Sequence, residues 1–196
     1  MTREMLFALA LGYLLGSIPF GLVLTRLAGK GDIRNIGSGN IGATNVLRTG
    51  SKWLAVLTMV LDCLKATAAV VLSQLLLGRE TGAFAATGAL IGHLYPVWLG
   101  FRGGKGAATL CGILIALVWP AALIYATVWI LLLLTTRISS VAGMTAAISA
   151  PVAAAILHSF YFPMLLGFAV LVLWKHRENI LRLRRGTEPR IGRAKA

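Results

Sequence analysis

Four short segments hold nearly all the residues of this chain that could bind or transfer a charged group: 29–52, 100–107, 136–140 and 175–196. The first contains Gly37-Ser38-Gly39-Asn40-Ile41-Gly42-Ala43-Thr44-Asn45, followed by Arg48. Glycines let successive backbone N–H groups converge on an anion, while hydroxyls and amides add neutral donors. Arg48 supplies charge and a bidentate fork suited to phosphate. The second segment, running on as Gly100-Phe101-Arg102-Gly103-Gly104-Lys105-Gly106-Ala107-Ala108-Thr109, has a superficial likeness to a nucleotide-binding P-loop. It departs from that pattern, because Gly106 stands where Ser or Thr would bind magnesium, Leu99 stands where the first glycine belongs, and no strand precedes it. What survives is a glycine-rich turn opening a helix, whose N-terminal dipole and Lys105 suit phosphate. The third segment is Arg137-Ile138-Ser139-Ser140, where serine capping of a helix competes with a contact role. The fourth opens His176-Arg177-Glu178-Asn179; on a helix His176 and Asn179 share a face that Arg182 continues.

Helix-length apolar runs separate these segments, at roughly 5–27, 53–77, 83–99, 107–119, 120–135, 141–158 and 163–174. A chain of 196 residues that is 58% hydrophobic, with mean hydropathy +0.82, cannot hide so much apolar surface in a soluble core. The expected fold is therefore an all-α integral membrane protein, a single polytopic domain over 1–196. Turns at Trp119-Pro120 and Phe160-Tyr161-Phe162-Pro163 make about seven transmembrane helices; without both turns there are five. If every run crosses, all four polar segments face one side, with fifteen of the nineteen Lys and Arg residues; Arg3 and Arg79 face the other. The positive-inside rule places that side in the cytoplasm, with the C-terminus, and the N-terminus outside. The net charge of +13 would suggest nucleic acid in a soluble protein, but these basic clusters flank spans and carry no nucleic-acid motif.

Inside the runs, Gly12/Gly16 and Gly88/Gly92 have the small-xxx-small spacing that lets helix backbones approach, here within the bundle. Asp62 and Lys65, three apart on one helical face, read as a buried structural ion pair, with a proton or ion pathway as the competing role. Cys63 and Cys111 read as small hydrophobes, and no metal-ligand cluster is present. His93 and Tyr95 are expected to close the third apolar run, and the tail past Gly186 to be solvated basic sequence drawn to anionic lipid.

The strings GSGNIGATN, GHLYPVWLGFRGGKGAAT and HRENILRL resemble the three signature motifs of the acyl-phosphate:glycerol-3-phosphate acyltransferase family, PlsY, in order and spacing over most of the chain. The resemblance implies a multi-pass enzyme of the bacterial cytoplasmic (inner) membrane with its active site facing the cytoplasm. It would move a fatty acyl group from acyl phosphate to the 1-hydroxyl of glycerol 3-phosphate, giving lysophosphatidic acid and inorganic phosphate, the first step of phospholipid synthesis. Carried over by position, the catalytic residues are Ser38, Arg48, Lys105, His176 and Asn179. The substrate-binding set is Gly37, Gly39, Asn40, Gly42, Thr44, Asn45, Gly103, Gly104, Gly106, Ser140 and Arg177, and Glu178 is structural. Partners are glycerol 3-phosphate, fatty acyl phosphate, membrane lipids and, further off, the enzyme supplying acyl phosphate; no metal or cofactor is expected.

An acyl phosphate is a mixed anhydride with a good leaving group, so direct transfer needs orientation and charge stabilisation but no covalent acyl-enzyme. Acceptors for the hydroxyl proton are few in the polar segments: Asp32, Glu178, Glu188 and His176. The alternative function is a membrane transporter for a phosphorylated organic anion. Transporters place binding elements near the bilayer midplane, often in duplicated halves, whereas here the polar groups lie at one interface.

Overall fold

The computed structural model describes residues 1–192, and all the regular elements among them are helical. Arg193 and Lys195, counted above in the basic tail, lie outside the described residues. One compact unit, Met1–Leu117, contains α1 (Arg3–Gly16), α2 (Phe20–Leu27), α3 (Ala43–Val46), α4 (Lys52–Leu77), α5 (Gly82–Leu94) and α6 (Ala107–Leu117). A second, from Val118 onward, contains α7 (Trp119–Thr136), α8 (Ser139–Ile156), α9 (Phe162–Lys175) and α10 (Arg177–Arg184). Among the described residues, four stretches are long and apolar enough to cross a membrane: Arg3–Leu27, Lys52–Leu77, Trp119–Thr136 and Ser139–Ile156. Two shorter apolar helices, α6 and α9, accompany them. Leu75, Leu76, Leu131 and Leu134 point outward on α4 and α7, and Trp53, Trp119 and Trp174 are exposed at helix ends. That is the pattern of a lipid-facing surface with interfacial aromatics.

In the first unit, α1 crosses α5 at very close range. A Cβ on Gly12 or Gly16 would overlap the backbone of Ala85 or Ala89, and one on Gly88 or Gly92 the backbone of Leu9 or Tyr13. The small-residue spacings thus pack the bundle internally, as expected. Gly112 of α6 lies against the Cys63 carbonyl of α4 in the same way, and Thr67 Oγ1 donates to the Gly112 carbonyl at 2.9 Å.

Two apolar runs differ from their expected form. The run 5–27 is two helices, because Pro19 has no N–H to continue the ladder; α2 restarts on the Pro19 carbonyl, which accepts from Leu22 and Val23 at 3.0 Å. The run 83–99 ends as a helix at Leu94, since the residue before Pro96 is driven out of the helical region. The chain there turns on the Tyr13 hydroxyl, which donates to the Tyr95 carbonyl at 2.9 Å and accepts from Val97 N–H at 3.0 Å. In the second unit α8 packs on both α7 and α9. Prolines 120 and 163 occupy first-turn positions of α7 and α9, where no amide is required, so the helix breaks fall just before them.

Candidate active site

The first polar loop is assembled around Asn45. Buried in α3 at 2% exposure, Asn45 donates from Nδ2 to the carbonyls of Ile33 and Ile36, both at 2.9 Å. Its Oδ1 accepts from Ser38 N–H at 3.2 Å and Arg48 Nη1 at 3.1 Å, with Ser38 Oγ at 3.5 Å. An asparagine side chain has two donors and two acceptor sites, so this one is saturated by its own loop. Expected among the substrate ligands, it is the group that brings Ser38 and Arg48 together. Gly37, at φ 57°, is where the guanidinium crosses the chain: a Cβ there would overlap Arg48 Nη1 and crowd Asn45 Oδ1. Asn40 Oδ1 accepts from Gly42 N–H at 2.9 Å and shapes the entry to α3, while Ser38, Gly39, Thr44 and Arg48 are exposed. Beneath lie Leu22, Ile33, Ile41, Val46 and Ala55, with Leu99 packed against them. Leu99 leads into the second glycine loop, so both loops rest on one apolar layer.

The second loop sits on His93. Gly103 N–H donates to the Leu94 carbonyl at 3.2 Å and Gly104 N–H to the His93 carbonyl at 2.9 Å. A Cβ on Gly103 would overlap the His93 carbonyl, and one on Gly104 the His93 imidazole itself. Lys105 follows, half-buried, before Gly106 opens α6 through its carbonyl, which accepts from Leu110 N–H at 2.8 Å. Thr109, in the first turn of α6, is fully buried and its hydroxyl has no hydrogen-bond partner among the described residues.

Behind this loop the expected ion pair is present, but it is larger than a pair. Lys65 Nζ donates to Asp62 Oδ1 and to the Ile18 carbonyl, both at 2.7 Å, and lies 3.0 Å from His93 Nδ1. An ammonium has three donors, and these three acceptors match them, which makes Nδ1 the unprotonated nitrogen of His93. His93, expected only to close a span, therefore couples the buried charges to the glycine loop. Its 28-residue separation from Lys65 obeys no local spacing rule, and the Ile18 acceptor arises only from the break at Pro19.

In the second unit Ser140 and Asn179, both nearly buried, meet at a residue the motifs did not indicate. Glu188 Oε1 accepts from Ser140 Oγ and Asn179 Nδ2, both at 2.6 Å, and Oε2 from Arg182 Nε at 2.7 Å. The expectation of a solvated tail past Gly186 is thus corrected at Glu188. His176 is also buried, and its Nδ1–H donates to the Val172 carbonyl at 2.8 Å, a bond that fixes the plane of the ring. Arg177 is exposed and lies 5.5 Å over the Trp174 ring, while Glu178 is exposed in the first turn of α10, where a carboxylate favours the helix dipole.

The named proton acceptors are not equivalent. Hydrogen bonds from Arg34, with a further one from Arg26, hold Asp32 well below the usual carboxylate range. Burial pushes Glu188 up, but the bonds from Ser140, Asn179 and Arg182 outweigh it and leave it lowered. Both carboxylates are committed to donors and make poor bases.

Apolar helices joined by glycine loops, with Ser38 and Arg48 gathered on one carboxamide and Lys105 at a helix start, define an integral membrane protein equipped for phosphate-bearing molecules. Residues 6–186 match the family glycerol-3-phosphate acyltransferase. A relative of that description from Mesorhizobium japonicum is 54% identical over 193 residues, covering 98% of each chain, and one from Brucella anthropi is 55% identical over 196 residues, covering 98% of this chain and 96% of its own. The crystal structure of PlsY (YgiH), an integral membrane glycerol 3-phosphate acyltransferase, in its glycerol 3-phosphate form superposes with a TM-score of 0.90 at 40% identity, covering 96% of each chain. Its lysophosphatidic acid form superposes at 0.87 with 38% identity, covering 96% of this chain and 95% of its own. The chain belongs to the glycerol-3-phosphate acyltransferase family.

Proposed function

We propose that this protein transfers a fatty acyl group from acyl phosphate to the 1-hydroxyl of glycerol 3-phosphate, with no acyl-enzyme, as one polytopic domain of the bacterial inner membrane. The N-terminus is outside, about seven helices cross, and the site faces the cytoplasm, as the distribution of basic residues favours. The observation that carries this reading is the convergence of Ser38 and Arg48 on Asn45 Oδ1 in a glycine loop, which pairs a hydroxyl with a guanidinium fork. The two solved forms of the relative, with glycerol 3-phosphate and with lysophosphatidic acid, are the acceptor and product of such a transfer.

The glycerol 1-oxygen attacks the acyl carbon, the carbonyl oxygen takes up negative charge, and the bond to phosphate then breaks to release inorganic phosphate. Arg48 and Lys105 bind phosphate oxygens and offset that charge, while loop N–H groups and the Ser38 hydroxyl orient the reacting groups. His176 takes the hydroxyl proton at Nε2; the rival acceptor is a phosphate oxygen of the donor. His176→Gln is expected to lower kcat by at least about a hundredfold, the lower end for general base catalysis. Retention of most of kcat in that variant would assign the base to the substrate. Arg48→Ala and Lys105→Ala are each expected to lose at least about tenfold in kcat/KM, corresponding to roughly 1.4 kcal/mol; near-normal kinetics in both would remove the phosphate-binding roles.

The test supplies purified protein with labelled glycerol 3-phosphate and, in parallel, acyl phosphate, acyl-CoA or acyl carrier protein. Product from acyl phosphate alone supports the proposal. Product from the thioesters would discard the mixed-anhydride donor, and no product from any donor would overturn the reaction.

A further inference from the structure

Past α10 the chain is not a loose end. Gly186, at φ 68°, reverses it: Gly186 N–H donates to the Leu183 carbonyl at 3.1 Å and Thr187 N–H to the Arg182 carbonyl at 2.9 Å, the paired bonds of a helix-terminating Schellman turn. The reversal carries Glu188 back along α10. Three residues later Ile191 N–H donates to the Arg137 carbonyl at 2.8 Å. Arg137 is itself in the left-handed region at φ 59°, a conformation that non-glycine residues rarely adopt. The segment 186–191 is therefore a strap, fastened at one end to α10 and at the other to the turn that precedes Ser140.

We infer that Glu188 is a positioning residue of the acyl transfer, its carboxylate setting the rotamers of Ser140 and Asn179 from the strap. The three groups that meet there are all donors: a hydroxyl, a carboxamide N–H and a guanidinium N–H. An acceptor-only side chain with two oxygens is the one type that satisfies them together. With Nδ2 of Asn179 bound to Glu188, the orientation of the whole carboxamide is set, and the Ser140 hydroxyl proton likewise has a fixed direction. A displaceable plug, the other role open to a tail carboxylate near substrate-type donors, would sit at the surface. The Glu188 side chain is instead only 7% exposed. Its lowered pKa, despite burial, agrees with a permanently ionised fixture.

The inference rests on the proposed acyl transfer, and one set of kinetic measurements separates the two. Wild type, Glu188→Ala, Glu188→Gln, Asn179→Ala and the Glu188→Ala/Asn179→Ala double variant are assayed with acyl phosphate and glycerol 3-phosphate. Glu188→Ala is expected to lose at least about tenfold in kcat with KM changed by less than about threefold. The double variant is expected to be within about twofold of Asn179→Ala, because groups acting as one unit do not add. Glu188→Gln, whose carbonyl still accepts from Ser140 and Asn179, is expected to recover part of the loss, and it carries the test if Glu188→Ala does not fold. Glu188→Ala within about twofold of wild type, a lower KM as a plug would give, or losses that multiply in the double variant would each overturn the inference. An inactive wild type would instead overturn the reaction itself, and the positioning role with it.

Discussion

Replacing Lys65 with methionine is expected to lower the thermal midpoint of the detergent-solubilised protein by on the order of 10 °C, the shift that corresponds to roughly 3–5 kcal/mol for a chain of this size. The side chains of Lys65 and Asp62 are 2% and 5% exposed, and the ammonium is the charge partner of the carboxylate as well as the donor to Ile18 and the neighbour of His93. Methionine fills a similar volume but removes the ammonium from beside Asp62 inside a span, so the carboxylate must either take up a proton or draw charge from His93, whose Nδ1 lies 3.8 Å from Oδ1. The ion pair adds little net stability relative to a well-packed apolar pair, but removing one half exposes the full desolvation cost of the other. Asp62→Asn with Lys65→Met is accordingly expected to recover most of the lost midpoint. Activity should fall further than stability accounts for, since His93 supports Gly104 of the second loop. A Lys65→Met midpoint within about 2 °C of wild type would show that the buried charges are not coupled as the geometry indicates.

Asn45→Asp is the most informative single change in the first loop, and at least about a hundredfold loss in kcat/KM is expected, or roughly 2.7 kcal/mol of transition-state stabilisation. The two side chains are nearly isosteric, so packing in α3 is preserved. What changes is the sign of the bonds. Nδ2 now donates to the carbonyls of Ile33 and Ile36; a carboxylate oxygen there would face two acceptors and leave both unsatisfied, at about 1–3 kcal/mol each. The added charge would also draw in the Arg48 guanidinium, which already lies 3.1 Å from Oδ1, and oppose any phosphate approaching it. Asn45→Ala, which adds no charge, should be less damaging to KM than Asn45→Asp although it too frees the loop. Equal KM values in the two variants would show that Arg48 does not work through charge at this position.

The class of fold and the chemistry on offer were both legible in the order of residues. Apolar runs of span length admit one solution for the backbone, helices in a bilayer, because every N–H and C=O must be satisfied within the segment. Glycine-rich, hydroxyl-bearing segments with Arg48 and Lys105 offer, by residue type alone, the donors and the charge that the proposed phosphate binding requires. The small-residue spacings on α1 and α5 were legible for the same reason, since close backbone approach demands small residues. Long-range partners were not legible. Which acceptor Lys65 would find beyond Asp62 depended on a carbonyl exposed by the break at Pro19 and on a histidine from another helix. That Asn45 would face inward and saturate itself, leaving Ser38 and Arg48 outward, followed from the fold of the loop over Ile33 and Ile41. Glu188 was hidden most completely. In a basic tail, composition describes only the average, and a single Schellman turn at Gly186 decides whether one carboxylate meets solvent or the hydroxyl, amide and guanidinium that converge on it. Residue chemistry is local and can be read in one dimension; the pairing of donors with acceptors is decided by where the chain returns, and only the tertiary structure supplies that.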